Sequence, residues 1–249
     1  MLNKLKEIYA EIYSREMFAP TFLGVFINPF YFIRRGLHKG VISNKGYLKG
    51  RLLDFGCGSK PYKNFFDVQE YIGLDIEESG HLYKYEGVDV YYDGKEIPFQ
   101  DGHFDSIFSS EVFEHIFNLE EILTELHRVL KPGGYMLVTL PFVWEEHEIP
   151  YDFARYTSFG IEYLLKKNGF EIIVIHKTTN YVETVFQMWN SYVWSNYASS
   201  SNRLLSLLKT LLFIAPIAIV GVILSKLLRK NKCLYHNNIV IARKSINDI

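Results

Sequence analysis

The 249 residues are 48% hydrophobic and 22% charged, enough apolar material for one large α/β domain with additions and too much for a globally disordered chain. Two cysteines, Cys57 and Cys233, exclude a disulfide framework and a cysteine metal cluster and suit a reducing cytoplasm. The net charge of −1 conceals an asymmetry: residues 1–183 carry 19 Lys and Arg against 27 Asp and Glu, whereas residues 184–249 carry 8 against Asp248 alone.

Taken in chain order, the opening stretch MLNKLKEIYAEIYSREMF has early acids and no continuous apolar run, so no secretory signal is expected. Residues 1–50 are rich in aromatics, with Phe18 to Ile33 running into Arg34-Arg35, and read as a cap or lid. From residue 51 short apolar runs alternate with helix-like segments, the pattern of a mostly parallel sheet. Strands are expected at Arg51 to Phe55, Glu70 to Leu74, Val88 to Tyr92, Phe104 to Ser109, Tyr135 to Leu140, Phe170 to His176 and Asn238 to Arg243. Leu119, Ile122, Leu123, Leu126, Val129 and Leu130 form a helical stripe, which Lys131-Pro132-Gly133-Gly134 is expected to terminate. Thr157 or Ser158 caps a helix to Lys167, with Gly169 just past its end. The divisions are therefore 1–50, a core at 51–176, a basic apolar helical insertion at 177–236, and a last strand with the C-terminus at 237–249.

The chemistry concentrates in Leu53-Asp54-Phe55-Gly56-Cys57-Gly58-Ser59. A buried strand there runs into a turn whose two glycines let a ligand approach the backbone. Asp75, nineteen residues after Gly56 at the next strand end, suits the two hydroxyls of a ribose. Two nucleotide readings compete at this point. A dinucleotide site wants a third glycine opening the helix, where this chain has Lys60-Pro61-Tyr62. An S-adenosylmethionine site wants an acid before the first glycine, supplied by Asp54, and no phosphate cradle, because that cofactor has no phosphate.

The ordered set Asp54-Phe55-Gly56-Cys57-Gly58, Asp75, Asp93-Gly94-Lys95-Glu96-Ile97-Pro98-Phe99, Phe104-Asp105, Glu114-His115 and Arg128 to Gly134 resembles the class I S-adenosylmethionine-dependent methyltransferases of type 11 over roughly residues 50–176. The resemblance implies a Rossmann-like α/β sheet of seven strands with helices on both faces and an antiparallel last strand. It implies that Gly56, Cys57 and Gly58 line the cofactor, that Asp75 with Ile76 holds its ribose, that Asp93 meets the adenine amino group, and that Ser110 and Glu111 lie near the methionine part. Lys60 stands where the family's fullest turn pattern has a third glycine.

The loop Pro141 to Tyr156 (PFVWEEHEIPYDFARY) resembles a subgroup found with bacterial surface-glycan genes. It lies beyond the carboxyl end of a strand, where open α/β sheets bind ligands. His147 is the expected general base, with Asp152 and Arg155 orienting a sugar or acidic acceptor. No metal site is apparent, so metal-independent transfer is expected. In the insertion, Arg203 to Leu224 is strongly apolar and is followed by Lys226, Arg229, Lys230 and Lys232. Basic residues flanking an apolar run favour an anionic membrane surface over nucleic acid. A single crossing would strand the last β-strand on the far side, so peripheral attachment at the cytoplasmic face is expected, with oligomerisation through residues 186–228 as the other use of this surface. The expected function is O-methylation of a glycan or lipid-linked glycan intermediate. The alternatives are methylation of a hydrophobic small molecule, such as a quinone or lipid, and a cofactor-binding scaffold without catalysis.

Overall fold

The computed structural model describes residues 2–76 and 87–246, with side chains from Ala10 onward. Asp248, the acid of the basic tail, lies outside the described residues. The elements in order are α1 (Leu2–Phe18), α2 (Gly24–Ile27), α3 (Tyr31–Asn44), β1 (Arg51–Phe55), β2 (Glu70–Ile76), β3 (Val90–Tyr92), β4 (Phe104–Ser110), α4 (Leu119–Val129), β5 (Leu130–Pro141), α5 (Ser158–Lys167), β6 (Phe170–Lys177), α6 (Tyr181–Val193), α7 (Arg203–Leu227) and β7 (Asn237–Lys244).

The seven strands form one sheet in the order β3-β2-β1-β4-β5-β7-β6. The first five pair in parallel and the last is antiparallel. Leu52, Leu53 and Phe55 of β1 and Ile107 and Phe108 of β4 are all but inaccessible, as expected of central parallel strands covered on both faces. Leu119, Ile122, Leu123, Leu126 and Val129 bury the stripe of α4 in the main apolar cluster. Thr157 caps α5 by accepting the Gly160 N–H at 3.0 Å. The strand order reverses between β1 and β4, and such a switch point opens a crevice at the carboxyl ends of the strands.

Lys131 to Gly134 have a second role. They follow directly on the end of α4 at Val129, as expected, and also lie within β5, as a bulge. Leu130 pairs with Phe104 and Tyr135 with Ser106, so these four residues oppose Asp105 alone. Asp105 holds the bulge through Lys131 Nζ (2.5 Å) and also accepts the Arg51 N–H (2.8 Å). Glycine and proline here serve the extra residues of a bulged strand.

The chain divides into two compact units. One holds residues 40–176 and 238–249 and contains the sheet; residues 40–50 belong with it. The other combines residues 1–39 with residues 177–237, segments far apart in sequence. Gln187 of α6 explains the pairing. Its Oε1 accepts the Phe32 and Ile33 N–H groups (3.0 and 3.4 Å), and its Nε2 donates to Pro29 O (3.0 Å). A side chain from α6 thereby satisfies amides that the start of α3 leaves without intrahelical acceptors. Around it Val25, Tyr31, Phe32 and Ala218 form a separate apolar cluster. Gly221 allows α7 to approach closely, because a Cβ there would lie 2.8 Å from the Phe186 ring.

Candidate active site

At the end of β1 the backbone folds back on β2, with the Gly56 and Cys57 N–H groups both donating to Leu74 O (2.9 and 3.1 Å). Gly56 and Gly58 have φ of 71° and 49°, in the left-handed region that glycine enters at no steric cost. A Cβ on Gly56 would sit 2.4 Å from the Val112 side chain. Asp75, at the end of β2, anchors the turn: Oδ2 accepts the Gly58 N–H and Oδ1 the Ile76 N–H, both at 2.8 Å.

These groups open onto a cavity of about 450 Å³ at the switch point. Gly56, Cys57, Gly58, Asp75, Ile76, Ser110 and Glu111 line it, so seven of the nine expected cofactor residues meet in one place. The wall carries three acids, Asp75, Glu111 and Glu148, and no Lys or Arg among the described residues. Glu111 is held in a left-handed backbone conformation, φ 56°, by its N–H on Thr139 O (2.9 Å) and its Oε1 accepting from Thr139 Oγ1 (2.7 Å). Ser110 Oγ lies 2.9 Å from the same Thr139 hydroxyl.

The other two expected cofactor residues stand elsewhere. Asp54 is buried behind the turn, not in the cavity wall, and accepts a short hydrogen bond from the Tyr71 hydroxyl. Burial pushes its carboxyl up to about 7 against the opposing pull of Tyr71. Asp93 is also absent from the wall. Its Oδ1 accepts the Lys95 and Glu96 N–H groups (2.9 and 3.3 Å), a turn-forming use, and its neighbours Tyr92 and Gly94 line the cavity instead. Lys60 takes the left-handed backbone of the glycine it replaces, φ 55°, and its Nζ reaches Asp89 at 2.6 Å.

On the acceptor side the loop after β5 forms a brace. Arg155 donates twice to Asp152, at 2.5 and 2.6 Å, and the His147 N–H donates to Asp152 Oδ2 at 2.9 Å. The Arg155 hydrogen bonds hold the Asp152 carboxyl down at about 2, so Asp152 is a fixed anion that positions His147. His147 Nδ1 lies 3.2 Å from Asp152 Oδ2. None of His147, Asp152 and Arg155 lines the cavity. His115, Glu148, Tyr151 and Phe153 do; His115 belongs to the Glu114-His115 motif and the other three to the loop Pro141 to Tyr156, in which the sequence singles out other side chains. The His115 and His147 rings meet edge to face at 4.8 Å. Burial holds the His115 imidazole below its ordinary value and lifts the Glu114 carboxyl well above the usual carboxylate range. Phe117, Tyr151 and Phe153 form an exposed aromatic mouth, with Phe117 and Phe153 centroids 5.5 Å apart.

Residues 53–138, which contain the turn, Asp75 and the Glu111 to His115 segment, match the family model for a methyltransferase domain. That stretch is similar to the methyltransferase domain family, and the seven-stranded sheet around it has the Rossmann-like methyltransferase fold. A fatty-acid O-methyltransferase of Mycolicibacterium smegmatis is 32% identical over 99 residues, 36% of this chain and 36% of that protein. A sterol 24-C-methyltransferase of Gibberella zeae is 34% identical over 97 residues, 34% of this chain and 26% of that one. The chain thus spans about a third of the length of the curated relatives it matches. Among solved structures, phosphoethanolamine N-methyltransferase 2 of Haemonchus contortus, in complex with S-adenosyl-L-methionine, superposes with TM-score 0.51 at 17% identity, covering 93% of this chain and 59% of that one. The cyclase SpnF superposes with TM-score 0.51 at 18% identity, covering 85% and 82%. These structures share the fold of this chain, and a cyclase among them shows that activity must be argued from the site.

Proposed function

We propose that this chain transfers a methyl group from S-adenosylmethionine to an oxygen of a glycan or lipid-linked glycan intermediate at the cytoplasmic face of the membrane. The observation that carries the cofactor is the acidic wall of the cavity, with Asp75, Glu111 and Glu148 and no Lys or Arg among its described residues. A cofactor bearing a pyrophosphate is repelled there, whereas a sulfonium and an ammonium group are attracted. The glycine turn leaves backbone room for it, and Asp75, Ile76 and Tyr92 offer a carboxylate and apolar surface for ribose and base. S-adenosylmethionine supplies an electrophilic methyl group. The protein's task is then to align an acceptor oxygen behind that methyl, between His115, Glu148 and the aromatic mouth, whose rings suit the apolar face of a sugar.

The helical unit supports the membrane part. α7 is long and apolar enough to cross a bilayer; its most apolar 18-residue window has mean hydropathy 2.5 and is 28% buried. Its buried positions are mostly small or polar, among them Ser206, Thr210, Ala218, Gly221 and Ser225, while Leu204, Leu208, Leu212 and Leu227 point outward. α6 repeats the pattern, burying Thr184, Gln187, Asn190 and Ser191 and exposing Val185, Trp189 and Tyr192. Small residues between helices and large apolar ones outside is the arrangement suited to lipid as solvent. Both ends of the insertion join strands of one sheet, which favours lying in the interface over a single crossing. The basic residues at and beyond the end of α7 favour anionic lipid.

A second reading, methylation of a free lipid or quinone, draws on Phe117, Tyr151 and Phe153 at the mouth and on relatives named for fatty-acid and sterol substrates. Labelled S-adenosylmethionine with membrane extract separates the two. Label on an oxygen of a glycan fraction is the expected outcome; label in a free lipid, or on carbon, selects the second reading. A folded protein that binds the cofactor but labels neither fraction is a scaffold.

A further inference from the structure

We propose that Glu114, His115 and His147 bind one divalent first-row transition ion, such as Zn²⁺, Mn²⁺ or Fe²⁺, at the wall of the acceptor cavity. One carboxylate oxygen and one nitrogen from each imidazole lie within 4.8 Å of one another, close enough for small side-chain rotations to bring them onto a common ion at about 2.0–2.2 Å.

Two further observations point to a ligand. Glu114 is wholly buried, yet neither of its carboxylate oxygens has a hydrogen-bond partner. Buried carboxylates are ordinarily paired, hydrogen-bonded or coordinated. Both histidines are also oriented as ligands. His115 Nδ1 lies 2.8 Å from the Tyr151 carbonyl oxygen. A carbonyl only accepts, so Nδ1 bears the proton and Nε2 presents its lone pair, 3.8 Å from Glu114 Oε1. His147 Nδ1 faces two acceptors, Asp152 Oδ2 at 3.2 Å and Glu145 O at 3.3 Å, which likewise leaves its Nε2 bare. Imidazoles that coordinate metals are typically held in this way, by a carbonyl or carboxylate on the far nitrogen. The Asp152–Arg155 brace thereby acquires a purpose: it fixes the tautomer and tilt of one ligand.

Two imidazoles and one carboxylate favour a transition ion over Mg²⁺ or Ca²⁺, which prefer oxygen. Three protein ligands leave coordination positions open, and His115 places the ion beside the cavity. Resting on the methyl-transfer reading, the open position takes an oxygen of the acceptor. His147 then ligates, and the Glu148 carboxylate in the same cavity wall, in place of His147, takes the hydroxyl proton as the acceptor oxygen receives the methyl group and its bond to sulfur breaks.

The test uses the full chain, stripped with EDTA, titrated with Co²⁺ by visible absorption and with Zn²⁺ and Mn²⁺ by calorimetry, beside S-adenosylmethionine binding. Saturable uptake of one equivalent is expected, weakened about 30-fold or more in Glu114→Gln and in His147→Gln, with cofactor binding unchanged in wild type before and after stripping. No saturable uptake by folded wild type overturns the site, whatever the variants do. Uptake that survives both substitutions places the ion elsewhere and also overturns it. Metal uptake without cofactor binding would leave this site standing and remove the methyl-transfer reading instead.

Discussion

Two helices bury opposite kinds of residue. α4 turns Leu119, Ile122, Leu123, Leu126 and Val129 inward and leaves Glu120 and Glu121 in solvent. α7 turns Ser206, Thr210, Ala218, Gly221 and Ser225 inward and leaves Leu204, Leu208, Leu212, Phe213 and Leu227 outside. The difference teaches that apolar content alone does not say what a helix is built to face. The direction in which small and large residues point does, because close helix contact in an apolar solvent depends on packing of small groups and not on escape from water.

The largest expected effect tests this directly. Leu123→Ala should lower unfolding free energy by about 2–5 kcal/mol in a denaturant titration, whereas Leu212→Ala should change it by no more than about 0.5 kcal/mol. The same Leu212→Ala chain should partition about tenfold less onto anionic vesicles. Equal stability losses in the two would erase the contrast. Next, Asp75→Ala should weaken S-adenosylmethionine binding about 100-fold by calorimetry without altering vesicle binding, since it touches the sheet unit alone.

A smaller effect comes from the carboxyl buried in the sheet. Asp54 is faced by Tyr71, Asp75, Lys60 and Asp89, and burial raises its value from 3.8 to about 7. The folded state therefore favours the proton more than the unfolded state does. Its contribution falls as pH rises from about 4 and is fully lost above about 7. Asp54→Asn removes that dependence, so on going from pH 5 to pH 8 it should gain about 2 kcal/mol relative to wild type. A constant difference between the two would assign the burial cost elsewhere. Smallest, Gln187→Leu leaves the Phe32 and Ile33 N–H groups without their acceptor and should cost about 1–2 kcal/mol, read as faster proteolysis of the helical unit. An unchanged cleavage rate would deny α6 its role in joining residues 1–39 to the insertion.

The cofactor side was legible because its signals are local. Gly56, Gly58 and Asp75 sit at ends of strands whose apolar runs are themselves readable, and the switch point brings them together. Asp54 and Asp93 show the limit of motif reading. Both occupy the expected positions, but one carboxylate meets a tyrosine and the other caps its own turn. The glycines of Lys131 to Gly134 read only as a helix stop because the Asp105 contact that makes them a bulge lies 26 residues away at Lys131. The cluster of Glu114, His115 and His147 was harder still. It depends on the loop after β5 turning back, with the Phe153 and Ala154 N–H groups both donating to Glu114 O (2.8 and 3.2 Å), and no spacing rule encodes that return. The association of residues 1–39 with the insertion rests on the Val25, Tyr31, Phe32 and Ala218 cluster and on Gln187, which sequence periodicity treats as an ordinary polar position.

The place of β7 sets an order on biosynthesis. Among the described residues β6 has β7 as its only neighbour in the sheet, and fifty-nine residues lie between the end of one and the start of the other. During synthesis β6 therefore has neither edge paired until residues 237–244 have left the ribosome. Whatever α7 meets in the cell, it meets before the sheet is complete.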